Sequence, residues 1–273
     1  MRFQAAGRFA FRELAEAQHA TPYAGKIKIN PLEASDMPTK NMASVKPPFP
    51  QPAPVLFCWS GGKDSALAFY ALRQRPEVRV TGLLTTVTEG YDRISMHGVR
   101  RSLLLKQAEA LGLPFYEVRI PPQCVNPVYE SRMQQALCAQ LAAGVRMVAF
   151  GDIFLEDLRE YRERNLARLG MQAVFPIWRR DTAELAREFC ALGFHAIAVC
   201  IDPKKLDRSF SGRELTPEFF ADLPENVDPC GENGEFHTFV FGGPIFNKTI
   251  AVQRGELVDR DGFIFCDLKE QDR

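Results

Sequence analysis

From residue 55 onward the chain repeats one pattern: a short apolar run, a turn, and a segment of helical composition. The runs are VLFCW (55–59), VRVTGLLTTV (78–87), PFYEVRI (114–120), RMVAFG (146–151) and HAIAVCID (195–202). The helical segments between them are SALAFYALRQ (65–74), VRRSLLLKQAEALG (99–112), VYESRMQQALCAQLAAG (128–144), EDLREYRERNLARLG (156–170) and DTAELAREFCALG (181–193). Strands this apolar need cover on both faces, and strands joined through helices run parallel. The pattern predicts an α/β fold, a parallel sheet with helices on both faces. Gly112, Gly144 and Gly193 read as helix stops, and Asp181 with Glu184 three residues later is a capping pattern. Leu104, Ala108 and Leu111 share one helix face. In 156–170, Leu158, Tyr161, Leu166 and Leu169 point inward. Glu156, Asp157, Arg159 and Glu160 read mostly as a solvated face, and Arg162 and Arg164 stand open between that face and a cleft. After about residue 203 the alternation breaks down into loops and antiparallel strands, 228–246 and 251–268, which predicts a smaller C-terminal α+β region.

The first 54 residues differ from the rest. They hold eight of the 19 prolines and end in KPPFPQPAP; seven basic against four acidic residues give them a net +3. They read as a largely disordered extension or linker. MRFQAAGRFAFRELAEA as a targeting segment, and Met37 or Met42 as the true start, both stay open. The remainder divides into 55–175 and 176–273. The whole chain balances 34 basic against 34 acidic residues, which argues against nucleic acid as a partner, and no apolar run approaches a membrane span. The seven cysteines, 58, 124, 138, 190, 200, 230 and 266, are scattered and never form CxxC. They read as buried reduced thiols, with neither zinc spacing nor a disulfide framework, in keeping with a cytoplasmic protein.

The chemistry-bearing stretch is CWSGGKDSALAF (58–69), between the first strand and the first helix. A loop at the carboxyl end of a parallel strand lies where such sheets bind ligands, and a helix N-terminus offers unpaired N–H groups to an anion. Gly61 and Gly62 permit positive φ and close backbone approach, Ser60 and Ser65 supply hydroxyls, and Lys63 reads as a mobile cation. Asp64 orients Mg²⁺ or caps the loop's own N–H groups. From composition alone, a phosphate socket and a plain turn both remain.

The string SGGKDS matches SGGxDS, the signature of the PP-loop ATP pyrophosphatases. Together with VAFGDIFLEDLREYRERNLARLG (148–170), FPIW (175–178) and DPCGENGEFHTFV (228–240), it resembles the diphthine–ammonia ligase family over about residues 55–250. The resemblance is closest to the short form of that family, often bacterial; the long form carries further C-terminal domains for which this chain has no room. It implies a HUP/Rossmann-like fold, ATP and Mg²⁺ as cofactors, and ATP-dependent amide formation through an acyl-adenylate. Ammonium and an acceptor carboxylate are the implied partners, the latter a diphthine-like protein side chain or an unknown small molecule. Diphthamide belongs to archaeal and eukaryotic elongation factor 2, so a bacterial chain would need another acceptor. A tRNA-modifying PP-loop enzyme and a non-catalytic adenine-nucleotide binder are the alternatives.

The expected site follows. Ser60, Gly61, Gly62, Lys63, Asp64 and Ser65 bind the phosphates. Thr85 and Thr86, ending the second strand, receive adenine through their backbone or merely reflect β-propensity. His97 faces nucleotide or acceptor. Gly151 and Asp152 close the fourth strand, where Asp152 holds Mg²⁺ with Asp64, binds a ribose hydroxyl, or caps the next helix. Glu232 and Glu235 together hold ammonium, one as general base, and His237 assists or packs. Asp202 is a weaker metal candidate. The catalytic set is Lys63, Asp64, Glu232, Glu235 and His237.

Overall fold

The computed structural model describes residues 52–90, 93–94 and 98–271. The expectation for His97, and that of a disordered extension 1–54 as far as residue 51, lie outside the described residues; Ala53 and Pro54 of that extension already belong to the first strand.

Strand β1 (Ala53–Cys58) is the centre of the first sheet. It pairs in parallel with β2 (Val78–Thr88) on one edge and β5 (Met147–Ala149) on the other. Outside these lie β4 (Phe115–Ile120), parallel to β2, and β6 (Gln172–Val174), parallel to β5. The two-residue β3 (Arg93–Ile94) runs antiparallel along the end of β2. The chain steps outward from β1 to β2 and β4, then returns to the other side for β5 and β6. The strand order therefore reverses between β1 and β5, with the glycine loop at the carboxyl end of one and residues 150–155 at that of the other.

Alternation along β1 explains the layers. Val55, Phe57 and Trp59 enter one core, covered by α1 (Lys63–Arg73) and α2 (Arg101–Leu111) through Leu67, Phe69, Leu103 and Leu104. Leu56 enters the opposite core with Leu137 of α3 (Asn126–Ala142) and Leu166 of α4 (Glu156–Ala167). Gly112 ends α2 in the left-handed conformation, φ 68°. The Asp181 side chain accepts from the Glu184 N–H at 2.8 Å, as its spacing predicts, and starts α5 (Thr182–Ala191).

HAIAVCID is not a strand of the parallel sheet. It forms β7 (His195–Ile201), which lies between β8 (Phe236–Gly242) and β10 (Phe263–Glu270), antiparallel to both; β9 (Val252–Arg260) forms the outer edge. An apolar run reports cover on both faces but not the direction of its neighbours. β7 is central in a second sheet, which buries it as fully as a strand of the first. This sheet, α5 and the short α6 (Pro217–Ala221) share one continuous core with α1 and α2. Backbone bonds join the units, among them Val240 N–H to the Gly61 carbonyl at 2.9 Å, Asn247 N–H to that of Ala110 at 2.8 Å and Arg179 N–H to that of Ile153 at 2.7 Å. Asp267 of β10 adds ion pairs to Arg93 at 2.9 Å and Arg100 at 2.7 Å. All seven cysteines are free, but only Cys200, Cys230 and Cys266 are buried and Cys138 is exposed. Among the described residues no helix is long and apolar enough to cross a membrane.

Candidate functional site

The glycine loop is built largely from its own hydroxyls. Ser60 and Ser65 hydroxyl oxygens lie 2.8 Å apart, Ser60 N–H donates to Ser65 Oγ at 3.2 Å, and Gly62 N–H to Ser60 Oγ at 3.3 Å. Only Gly61 takes positive φ, 81°. Gly62 is extended at φ −91°, so the expectation of left-handed backbone at both glycines holds at one. Gly61 is also packed: a Cβ there would stand 2.8 Å from Leu104 Cδ2 and Gln107 Oε1. Gly62 caps α1 without a side-chain hydrogen bond, which leaves the helix amides short of acceptors.

The second unit completes this loop. Thr238 of β8 accepts from the Lys63 N–H at 2.9 Å. Lys63 is 2 % exposed rather than mobile. Its ammonium donates to Asp64 Oδ1 at 2.6 Å and to the Cys230 carbonyl, and sits 5.5 Å from the Phe236 ring centroid. Burial is the largest influence and works against its charge, but Asp64, Cys230 and Glu232 together outweigh it and hold Lys63 above the ordinary lysine range.

The turn carrying Cys230 is organised by Asp228, whose Oδ2 accepts from the N–H groups of Cys230 at 3.1 Å and Glu232 at 2.9 Å. Glu232 reaches across to the other strand end, where its Oε1 accepts from Ile153 N–H at 2.8 Å. Burial, then the nearby Asp64 carboxylate, push Glu232 up to about 7, against the Ile153 hydrogen bond and Lys63. Glu235 does not join it. It is 2 % exposed, and its Oε1 accepts from Asp228 N–H at 3.4 Å and Asn233 Nδ2 at 3.2 Å, back within its own turn. The expected pair of carboxylates around one ammonium is thus one carboxylate at the loop and one inside the turn. His237 follows Phe236 and precedes Thr238 on β8, so strand alternation turns it to the sheet face away from Lys63.

At the end of β5, Gly151 is where the two loops touch: a Cβ would lie 2.9 Å from Ser65 N and 3.0 Å from the Asp64 carbonyl carbon. The missing side chain leaves open the approach to the helix amide. Asp152 neither caps α4, whose N-cap is Leu155, nor stands free. It forms a two-point ion pair with Arg162, 2.6 and 3.1 Å, and Arg162 lies 4.3 Å from the Phe150 ring centroid. Arg162 is therefore an inward residue of α4, unlike Arg159, which pairs with Glu163 at 2.8 Å and covers Trp178. Thr85 spends its hydroxyl on the Trp59 carbonyl at 2.6 Å, and Thr86 continues the pairing of β2 with β4. Asp202 Oδ1 accepts from Lys204 N–H at 3.0 Å, a turn role. Among the described residues no three His, Cys, Asp or Glu groups converge to hold a metal.

Gln107 escapes a reading by pattern, because a polar residue on a helix counts toward the solvent side. It is fully buried. Its Oε1 accepts from the Trp59 indole N–H at 2.8 Å, and its Nε2 donates to the carbonyls of Gly61 at 3.0 Å and Val240 at 2.6 Å. The indole is a donor only, which fixes the amide's orientation. The signal that could have found it is its position beside Leu104 and Ala108 on the apolar face.

Two family models match the chain. Residues 54–173 match the family model described as diphthamide synthase N-terminal domain, and 181–272 the one described as diphthamide synthase C-terminal domain. A diphthine–ammonia ligase of Danio rerio is 32 % identical over 170 residues, 55 % of this chain and 65 % of that protein. One of Schizosaccharomyces pombe is 26 % identical over 234 residues, 79 % of this chain and 38 % of that protein. The chain thus spans less than two thirds of the length of these curated relatives. The solved U34-tRNA thiolase NcsA of Methanococcus maripaludis, with its [4Fe-4S] cluster, overlaps with a TM-score of 0.32 at 16 % identity, over 52 % of this chain and 59 % of that one, too slight a likeness to argue from. With one family model on each side of the loop that joins the two sheets, the chain belongs to the diphthamide synthase family.

Proposed function

We propose that this chain is an ATP-dependent, amide-forming ligase that activates an acceptor carboxylate as an acyl-adenylate and transfers it to ammonia. The observation that supports this most directly is the meeting of Lys63, Asp64 and Glu232 at the carboxyl ends of β1 and β5. In this reading residues 55–175 hold the nucleotide and 176–273 the ammonia and acceptor side. The acceptor oxygen attacks the α-phosphorus, and the bond to the β-phosphate oxygen breaks, releasing pyrophosphate. The ammonia nitrogen then attacks the acyl carbon and AMP leaves. Lys63 and the uncapped amides of α1 stabilise charge on the leaving pyrophosphate. Glu232, pushed up to about 7, takes a proton from ammonium at neutral pH and so frees the nucleophile. The buried Glu235 shapes the turn instead. A diphthine-type carboxylate is the acceptor class suggested by the relatives' names, and dependence on ATP accords with a cytoplasmic location.

The site suits a hard cation on one side only. Asp152 has both oxygens on Arg162. Asp64, with 27 % of its side chain exposed, is the oxygen donor that would hold Mg²⁺, which needs few protein ligands when phosphates and waters supply the rest. Bound there, Mg²⁺ neutralises phosphate charge.

The test is incubation with ATP, ¹⁵N-ammonium and cell extract, following AMP, pyrophosphate and the molecule that gains nitrogen. AMP formed in step with a new ¹⁵N-amide, and lost in Lys63→Ala, supports the reading. Tight ATP binding with no AMP from any extract fraction marks a binding module, and pyrophosphate release that requires RNA marks a tRNA-modifying enzyme; either overturns it.

A further inference from the structure

A sheet edge is a row of unpaired backbone groups, and folded chains blunt theirs. Among the described residues, β3 and β6 are only two and three residues long, and β9 meets a break in register opposite Cys266 and Leu268 of β10. β8 gives its Val240 N–H to the glycine loop. β4 is different. Its six residues pair with β2 without a bulge, from Phe115 on Leu83 to Ile120 on Thr88, and no described strand pairs with its other side. Leu83 N–H donates to the Pro114 carbonyl and Glu89 N–H to that of Ile120, so the even-numbered residues turn their groups to β2. Phe115, Glu117 and Arg119 therefore turn theirs outward, and among the described residues nothing is bonded to them.

The edge lies in an open groove of about 420 Å³ between α2 and α3. One wall is Leu105 of α2 with the Arg101–Glu117 ion pair, 2.5 Å, and Phe115 and Tyr116 form the floor. The other wall, Ala136, Ala139 and Gln140 of α3, is small and uncharged, which lets a second helix approach closely.

The charges on the edge decide what fits it. Glu117 and Arg119 are opposite in sign and two apart, so both stand on one face of the sheet. When two β4 strands pair antiparallel through their outward groups, outward residues face outward residues. One register sets each Glu117 opposite the second copy's Arg119, with Val118 on the twofold axis and Tyr116 opposite Ile120. One step to either side sets Glu117 on Glu117 or Arg119 on Arg119, and like charges directly opposite destabilise a sheet. Arg119 has 58 % of its side chain exposed and lies 3.2 Å from its own Glu117, so it needs only to turn to reach across.

We infer that β4 is a dimer interface, where two copies join edge to edge and two six-stranded sheets become one continuous sheet. α2 meets α2 on one face and α3 meets α3 on the other, which closes the groove. No residue assigned to the nucleotide or to ammonia takes part, so the inference is independent of the ligase reading.

Light scattering on the full chain from about 1 to 100 µM is expected to show the mass rise towards twice 30.8 kDa. Arg119→Pro removes one outward N–H and no bond to β2, and is expected to stay monomeric while thermal unfolding remains cooperative. Arg119→Glu sets carboxylate against carboxylate and is expected to weaken the dimer about tenfold or more. Glu117→Arg does the same with guanidinium groups. An equal mixture of these two charge variants is expected to form the dimer that neither forms alone, because each Glu then faces an Arg. Should Glu117→Arg, which loses the Arg101 pair, fail to fold, Arg119→Pro and Arg119→Glu decide the matter. A monomer at every concentration overturns the inference in favour of another protein's strand at this edge. A dimer untouched by Arg119→Pro overturns the β4 contact. A dimer broken by proline but indifferent to Arg119→Glu, or two folded charge variants that do not pair, overturns the register.

Discussion

Replacing Gln107 tests whether the glycine loop depends on the second unit. Gln107→Leu keeps the approximate volume but makes none of the three hydrogen bonds. The Gly61 carbonyl retains the Val240 N–H, while the Trp59 indole N–H and the Val240 carbonyl are left without Gln107 in a buried place. An unsatisfied buried group costs about 1–3 kcal/mol, so the variant loses about 2–5 kcal/mol of stability. Urea unfolding followed by Trp fluorescence reads this as a lowered midpoint at unchanged slope. Because Gln107 Oε1 fills the space where a Cβ of Gly61 would lie, the loop loosens too, and ATP affinity falls by about tenfold, worth ~1.4 kcal/mol. Gln107→Glu separates hydrogen bonding from packing. Its carboxylate faces two carbonyls, and burial raises its folded pKa above the unfolded value. A raised folded pKa means stability present at low pH and lost as pH rises through that pKa, so this variant recovers on acidification where Gln107→Leu does not. A Leu variant within about 0.5 kcal/mol of the parent, the scatter expected of surface substitutions, would refute the reasoning.

Three further outcomes follow from the geometry. Glu232, raised to about 7 from an ordinary 4.5, contributes stability below the unfolded pKa that is lost between about pH 4.5 and 7; Glu232→Gln removes this slope and is more stable than the parent at pH 8 by up to about 3 kcal/mol, measured by urea unfolding across pH. Gly151→Ala places a methyl 2.9 Å from Ser65 N; the backbone shift costs about 1–3 kcal/mol and weakens ATP binding more than tenfold in calorimetry. Asp152→Asn leaves the Arg162 guanidinium without a carboxylate and costs about 3 kcal/mol on thermal unfolding, whereas Asp152→Asn with Arg162→Met recovers part of it.

The strand and helix pattern was readable where residues report their own surroundings. The β1, α1 and glycine-loop sequence, the Gly112 stop and the Asp181 cap are local, and each follows from a few neighbouring residues. What stayed hidden depends on partners far along the chain. β7 looks like a parallel strand because burial on two faces is the same in either sheet. β6 is three residues long, too short to show a period. Glu232 and Glu235 are three apart in a turn, and spacing in a turn does not tell which carboxylate crosses to Ile153 and which folds back. Arg162 stays open between the solvated face and a cleft until Asp152 and Phe150 are placed against it.

The bond from the Lys63 amide to Thr238 spans 175 residues of sequence. A chain emerging from its N-terminus has β1 and α1 long before β8 exists to meet them. Contacts so distant in sequence close late in folding. The glycine loop is thus among the last parts of the molecule to be finished. A half-made chain holds the SGGKDS letters without the finished loop, and under the proposed function nucleotide capture becomes a mark of the completed fold.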